Sequence, residues 1–432
     1  MNTLRLDMLP TEILVIIFDY CDVCDFTQLD QVCKRFHQII RSNVVWKQHY
    51  KRFLVTNQVS EQFRQRCNLL LPSYSKYFIS QNWIRGGYQQ RILRGQRDKL
   101  MPWLQLTSNK LWWSGGNMIF GFDRQKKTHQ KTTFSFDKTY PGNYDHDIWR
   151  FILWGDYIVT GHNNGRIMWQ TKSPFKNRYN GCNECIKKKE LILYNNSISA
   201  LETTSNIIFS AAGSEYTIIR VENSLDIDSI NNDNIVRKEI PGCRIRSLAI
   251  HPLGKILSVV SEELDRILHI DLEHDVEREE IGPSQNTEIM DTLWEDTNTL
   301  LTCGFRQIQK WDLRVRDFVS TWHDPTDAGT YCISSDHHNT MITGAQYHSK
   351  AVLWDQRMPT FVQMYFMQAP FAKQFDMNSP IYSLRFDSTW LYCATDRFLY
   401  ELDFSKHGCP VRDYKSIPLW NQTRVIHYSA IL

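Results

Sequence analysis

Leu300-Leu301-Thr302-Cys303-Gly304 leads to Ile308-Gln309-Lys310-Trp311-Asp312, and Met341-Ile342-Thr343-Gly344 leads to Ala351-Val352-Leu353-Trp354-Asp355, with Trp354 standing 43 residues after Trp311. Each phrase is a short apolar run ending in small residues, a turn, and a second apolar run closed by Trp-Asp. Runs of this length bounded by turn residues read as strands. Moving outward, weaker counterparts end at Phe122-Asp123, Trp169, Val221, Ile270-Asp271 and Leu402-Asp403. The seven points are spaced 47, 52, 49, 41, 43 and 48 residues apart. Second strands precede them at Tyr157–Gly161, Ile207–Gly213, Leu300–Gly304, Met341–Gly344 and Leu391–Thr395.

A unit of ~40–45 residues carrying a Trp-Asp strand end is the period of a WD-repeat β-propeller, so two spacings fit directly and four need modest insertions. One four-stranded blade cannot bury its faces alone, and stacking neighbours in a ring completes the core. Large aromatics on the third strand fill the gaps between blades. The expected fold is mostly β: a seven-bladed propeller over 96–432, preceded by a small all-α domain over 1–53 and a helical linker over 54–95. Ring closure removes open edges, and either Gln90–Arg94 or the tail near Arg424–Ile431 can supply the last strand. The repeat is degenerate. No unit holds a complete Gly-His dipeptide with its Asp and Trp partners. The second comes nearest with Thr160 and Trp169, and Asn163 stands where Asp is usual.

Composition agrees. The chain has 432 residues with 14 Trp, 19 Tyr and 22 Phe, an aromatic content that favours pleated, half-buried surfaces. A net charge of +3 supplies no global field to draw nucleic acid or an anionic membrane, and neither is an expected partner. Met1 to Pro10 lacks the apolar core of a signal peptide, and no run approaches the ~20 apolar residues of a membrane span. The eleven cysteines are an odd, scattered set, as in a reducing intracellular protein, cytoplasmic and/or nuclear. The pairs Cys21/Cys24 and Cys182/Cys185 lie too far apart to make one zinc site, so no metal or cofactor is expected.

The first fifty residues are helical in pattern. Pro10 opens a stripe of Ile13, Leu14, Ile17, Phe18 and Cys21. Asp25 is placed to cap a second helix carrying Leu29, Val32, Cys33, Phe36, Ile39 and Ile40, and Val44, Val45 and Trp46 form a third short set. So small a unit cannot bury all this surface against itself. It is either a cap on the rest of the chain or a docking surface for another protein. Ser73 is placed to cap a linker helix that Gly86-Gly87 would stop.

The segment Leu9-Pro10-x-Glu12-Ile13-Leu14-x-x-Ile17-Phe18, followed by Leu29, Val32-Cys33-Lys34-x-Phe36 and Trp46, resembles an F-box. Together with the linker's Asn82-Trp83-x-x-Gly86 and the repeats, the chain is similar to F-box/WD-repeat proteins. The resemblance implies a substrate-recognition subunit of an SCF-type (Skp–cullin–F-box) E3 ubiquitin ligase, with no catalytic group of its own. Leu9, Pro10, Ile13, Leu14, Ile17, Phe18, Leu29, Val32, Cys33, Phe36 and Trp46 would then form or support contact with a Skp-type adaptor, itself joined to a cullin–RING ligase. Cys21 departs from the Leu more usual there. The other reading is a WD-repeat scaffold outside ubiquitination, with its N-terminal helices packed internally.

No phosphate loop, His-Glu-x-x-His or Gly-x-Ser-x-Gly is present, and His323, His337, His338 and His348 fall in predicted turns. Capture of a protein substrate therefore falls to loops on one propeller face. First-strand entrances offer Trp149, Arg246, Tyr331 and Tyr382, and second-to-third-strand turns offer Arg306, Tyr347 and Arg397. Arg and aromatic residues are the usual anchors of interfaces, and an Arg cluster can accept a phosphorylated segment. The basic stretch Lys172–Lys189 and the acidic stretch 261–280 read as solvated loops.

Overall fold

The computed structural model describes residues 5–21, 23–42, 44–46, 53–95, 101–124, 131–135, 146–172, 188–221, 227–261, 267–274, 276–281, 288–305, 307–368, 379–412 and 414. Seven four-stranded antiparallel sheets form a propeller, each consecutive in sequence except the last. Blade seven takes Ser383–Phe386, Trp390–Ala394 and Phe398–Asp403 from the C-terminal part of the chain and Gln89–Gly95 from before blade one. Gln89 pairs with Asp403 and Gly95 with Phe398, so the strand next to the linker closes the ring. The alternative tail lies outside the described residues.

All seven expected third strands are present, but register corrects two of the marker positions. The residue paired with the second position of the preceding strand is Trp311 in blade five, Trp354 in blade six, Gln170 in blade two and Ile219 in blade three. Trp169 is therefore one residue off the slot and faces the other way. Trp354 packs back onto Leu301 and Cys303 of blade five, whereas Trp169 packs forward onto Ile198 and Leu201 of blade three. In blade six Trp354 Nε1 donates to Thr343 Oγ1 at 2.9 Å. The acidic stretch is also corrected. Ile267–Asp271 and Val276–Ile281 are strands of blade four rather than loop. Most of the basic stretch, with Cys182 and Cys185, lies outside the described residues.

At the N-terminus, α1 (Thr11–Asp19) follows Pro10 as expected. The single second helix of the sequence reading is two, α2 (Val23–Leu29) and α3 (Lys34–Arg41). Asp25 sits in the first turn of α2 instead of capping it, and Cys33 caps α3 by accepting the Phe36 N–H on its sulfur at 3.5 Å. Val44 to Trp46 form a turn, not a helix. Two linker helices follow, α4 (Glu61–Arg66) and α5 (Ser73–Arg85). Gly86 ends α5 in the left-handed region at φ +69°, where a Cβ would lie 2.5 Å from the Arg412 carbonyl oxygen.

The α5 helix stands between two cores. Its outer Tyr74 and Tyr77 join Trp46 and Phe53 of the N-terminal unit, with Arg41 over the Tyr74 ring at 3.7 Å. Its inner Trp83 is fully buried, stacks on Phe404 at 3.6 Å and donates from Nε1 to the Ser388 carbonyl at 3.0 Å. Between Phe53 and Leu54 the chain passes from the first core to the second.

Two buried charges lock this junction. Arg124, just after the third strand of blade one, pairs with Asp387 in the first turn of blade seven, and both are almost without solvent exposure. Arg124 also donates to the Arg66 carbonyl at 2.9 Å, while Asp387 takes the N–H groups of Asn68, Thr389 and Trp390. Glu295, in the corresponding turn of blade five, accepts from Gln356 at 3.0 Å, yet burial pushes its carboxyl up to about 7. With a folded pKa above the ordinary 4.5, the proton stabilises the native state at low pH, and this contribution is lost as pH rises through about 7. Glu295→Gln stays neutral. The melting temperature of the variant relative to wild type is thus expected to climb between pH 5 and pH 8, and a difference constant with pH would contradict the assignment.

Candidate functional site

Two surfaces stand out. The first is the outer face of the N-terminal unit. Leu14, Phe18, Phe36 and Trp46 are buried in its core, where they hold the helices together and support the outer face from within. Leu9, Ile17, Leu29 and Cys33 pack partly buried against that core. Pro10, Ile13 and Val32 are exposed. The α1 helix is apolar on both sides. Its second set, Ile13, Ile16 and Tyr20, lies at i, i+3 and i+7 and is 43%, 52% and 89% exposed. Leu6 and Met8 are exposed in the preceding turn, at 47% and 72%. Sequence reasoning merged the two sets into one stripe and so missed Leu6, Met8, Ile16 and Tyr20. The i, i+3, i+7 phase of Ile13, Ile16 and Tyr20 was the available signal. An apolar patch left outward by a unit whose own core is complete marks an interaction surface.

The second surface is the mouth of the central channel. In blades two to six the innermost strand slips register after its first residue, between Ile148 and Arg150, Ile198 and Ala200, Ile245 and Ser247, Ile289 and Asp291, and Thr330 and Cys332. The skipped residues are Trp149, Ser199, Arg246, Met290 and Tyr331. A bulge re-aims the side chain it skips, which gives the expected first-strand entrances a common structural position. Tyr382 stands just before the blade-seven strand, its N–H bonded to the Ala394 carbonyl at 3.0 Å. Arg246, Tyr331 and Tyr382 line one cavity of about 290 Å³, with the two tyrosine rings 5.9 Å apart. Trp149 holds the equivalent bulge in blade two but does not line it.

The turn residues fare differently. Tyr347 is half-exposed and Arg397 half-buried, and neither lines the cavity; Arg306 lies outside the described residues. Their places are taken by neighbours one position away, Phe305 and Gln346. Arg150, Glu288, Met101, Pro102 and Met290 complete the wall. Arg246 is held by Glu288 at 2.6 Å. Arg150 lies over the Trp103 ring at 4.2 Å, and burial, with Arg246 and Arg385 adding repulsion, lowers it to about 10. Deeper in the channel Arg385 also approaches Trp103, at 5.6 Å. Nearby Asp291 and Glu202 are both raised by burial, Glu202 to about 7.

Of the histidines expected in solvated turns, His323 ends a strand and His348 is buried. His337 is mostly enclosed, its Nδ1 3.1 Å from the Glu295 carbonyl, and desolvation lowers it to about 4.

The linker docks away from the channel mouth. First strands begin at the channel mouth, and their far ends, Ser335 and Asp387-Ser388, receive Arg66 and Trp83 of the linker. A six-residue strand spans ~20 Å, so the linker and the channel mouth occupy opposite faces of the ring.

Comparison with known proteins agrees with both halves. The F-box-like family matches residues 6–52. Mouse F-box/WD repeat-containing protein 4 is 26% identical over 405 residues, covering 92% of this chain and 92% of that protein. The chain carries an F-box-like domain ahead of a seven-bladed propeller and is similar along most of its length to F-box/WD-repeat proteins. Human F-box/WD repeat-containing protein 4 is 25% identical over 411 residues with the same coverage of both chains. The exposed face of α1 thus belongs to the F-box, the buried aromatic set is the F-box core, and the channel mouth belongs to a propeller of the kind that serves protein–protein interaction. Among the described residues no helix is long and apolar enough to cross a membrane.

Proposed function

We propose that the chain is the substrate-recognition subunit of an SCF-type E3 ubiquitin ligase. The F-box docks on a Skp-type adaptor bound to a cullin–RING ligase, and the propeller captures the protein to be ubiquitinated. The observation that carries this reading is the outward apolar face of Leu6, Met8, Ile13, Ile16 and Tyr20 on a unit that already has a closed core. Burying such side chains is worth ~1.5–3 kcal/mol each, enough for a stable protein interface. The α5 helix fixes that face relative to the channel mouth, so the role of the chain is to hold a substrate at a set distance and orientation from the transfer machinery. The reaction chemistry belongs to its partners, and the chain itself is non-catalytic.

A scaffold outside ubiquitination is the second reading, and it requires the N-terminal helices to serve the propeller. Deleting residues 1–53 separates the two. The truncation keeps Leu54, Trp83 and the closing strand, so the propeller is expected to melt within a few degrees of its original temperature while adaptor binding disappears. A propeller that unfolds or aggregates without residues 1–53 would favour the scaffold.

A further inference from the structure

We propose that the mouth of the central channel is a pocket for one acidic side chain, Asp or Glu, of an extended segment of the captured protein, without phosphorylation. The inference rests on the substrate-receptor reading and adds the chemistry that the receptor recognises.

The size of the pocket comes first. About 290 Å³ holds one or two side chains, not a folded surface. The charge then selects among ligands. Among the described residues three ionisable groups line the cavity: Arg150, Arg246 and Glu288. Glu288 and Arg246 are 2.6 Å apart and satisfy each other, which leaves Arg150. Its guanidinium donates to the backbone carbonyl of Trp149 at 2.9 Å and lies over Trp103, and among the described residues no carboxylate stands at hydrogen-bond distance from it. A guanidinium over an indole at the cavity wall has further donors to offer, and its planar fork suits a carboxylate. The described lining carries two basic groups and one acidic group, a balance that a carboxylate monoanion completes. A phosphate dianion would overshoot it and would also face Glu288 across a small cavity.

Two further observations fit a peptide. Gln346, another wall residue, has a buried Oε1 without a hydrogen-bond partner among the described residues, an acceptor that a side-chain rotation can offer to a backbone N–H. Tyr331, Tyr382 and Phe305 give an apolar neighbour of the acidic residue something to pack against. Deeper, Asp291 accepts from the Thr292 and Ile333 N–H groups and the Ser247 hydroxyl, so it is already committed to the protein.

The test is selection of a displayed random heptapeptide library on the purified full chain, without adaptor, followed by titration of the synthesised winners. Selected sequences are expected to be enriched in Asp or Glu beside an aromatic or aliphatic residue. Replacing that acid by its amide should weaken binding at least tenfold. Arg150→Gln should lose both the enrichment and the amide discrimination, and Tyr382→Ala should weaken binding while preserving the preference for an acid. The melting transition of each variant, read by circular dichroism, confirms that the propeller is folded, and adaptor binding measured separately keeps this outcome independent of the ligase reading. Winners without acidic enrichment, binding unchanged by Arg150→Gln, or peptides that bind only after the acid is exchanged for phosphoserine would each overturn the proposal.

Discussion

Ile13→Asp combined with Ile16→Asp is expected to lower affinity for a Skp-type adaptor by at least ~100-fold while leaving the propeller's melting transition where it was. Both side chains lie on the outward face of α1, and neither belongs to the F-box core, which is built from Leu14, Phe18, Phe36 and Trp46. The variant therefore removes no internal packing. It places two carboxylates where an apolar partner must bury them, and truncation at the centre of an interface alone costs ~2 kcal/mol or more per hot spot. Isothermal titration against the purified adaptor reads the affinity, and circular dichroism reads the fold. The matched control is Leu14→Asp, which is expected to unfold the N-terminal unit and lose binding for that different reason.

The second large effect is structural. Trp83→Ala is expected to destabilise the junction of linker and propeller by ~3–5 kcal/mol, the usual cost of deleting a buried indole. Trp83 has no solvent exposure, stacks on Phe404, donates to the Ser388 carbonyl, and its own carbonyl accepts from the Tyr365 hydroxyl at 2.7 Å. Removing the side chain leaves a cavity and an unpaired carbonyl at one stroke. Denaturant unfolding should show the shift, and limited proteolysis should cut between residues 54 and 88 earlier than in wild type. Adaptor affinity should survive, because the F-box core stands on its own side of α5. A Trp83→Ala protein as stable as wild type would mean that α4 and α5 are loosely attached and that the F-box and the channel mouth are not held in a fixed relation.

Much of this architecture is legible in the sequence because its signals are local. A third strand ending in Trp-Asp, a second strand ending in small residues and their common period are visible without knowing what packs on what. Register is not local. Trp169 looked like the inter-blade tryptophan, yet pairing with Val159 turns it toward blade three. In the acidic stretch a run of charge reads as a solvated loop, yet pairing of Asp271 with Val276 makes Ile267–Asp271 and Val276–Ile281 two strands joined by a turn. The N-terminal stripe was continuous in sequence, and only the fold separates Leu14 and Phe18, turned inward, from Ile13, Ile16 and Tyr20, turned out.

The channel mouth shows the same division. Arg246, Tyr331 and Tyr382 were found because a propeller strand's entrance is easy to locate. Arg150 was missed because a bulge decides which of two adjacent residues reaches the cavity, and blade two uses Arg150 where blades four and six use Arg246 and Tyr331. Bulges come from backbone pairing with the next strand, which no single strand's sequence encodes.

The central claim is that the outward face of the F-box is a docking surface for a Skp-type adaptor. Mixing the purified full chain with purified adaptor and measuring mass by light scattering as the mixture elutes from a sizing column tests it most directly. The account predicts one peak at the summed mass of one chain and one adaptor, absent in the Ile13→Asp/Ile16→Asp variant. Two separate peaks from a chain that melts cooperatively would contradict it.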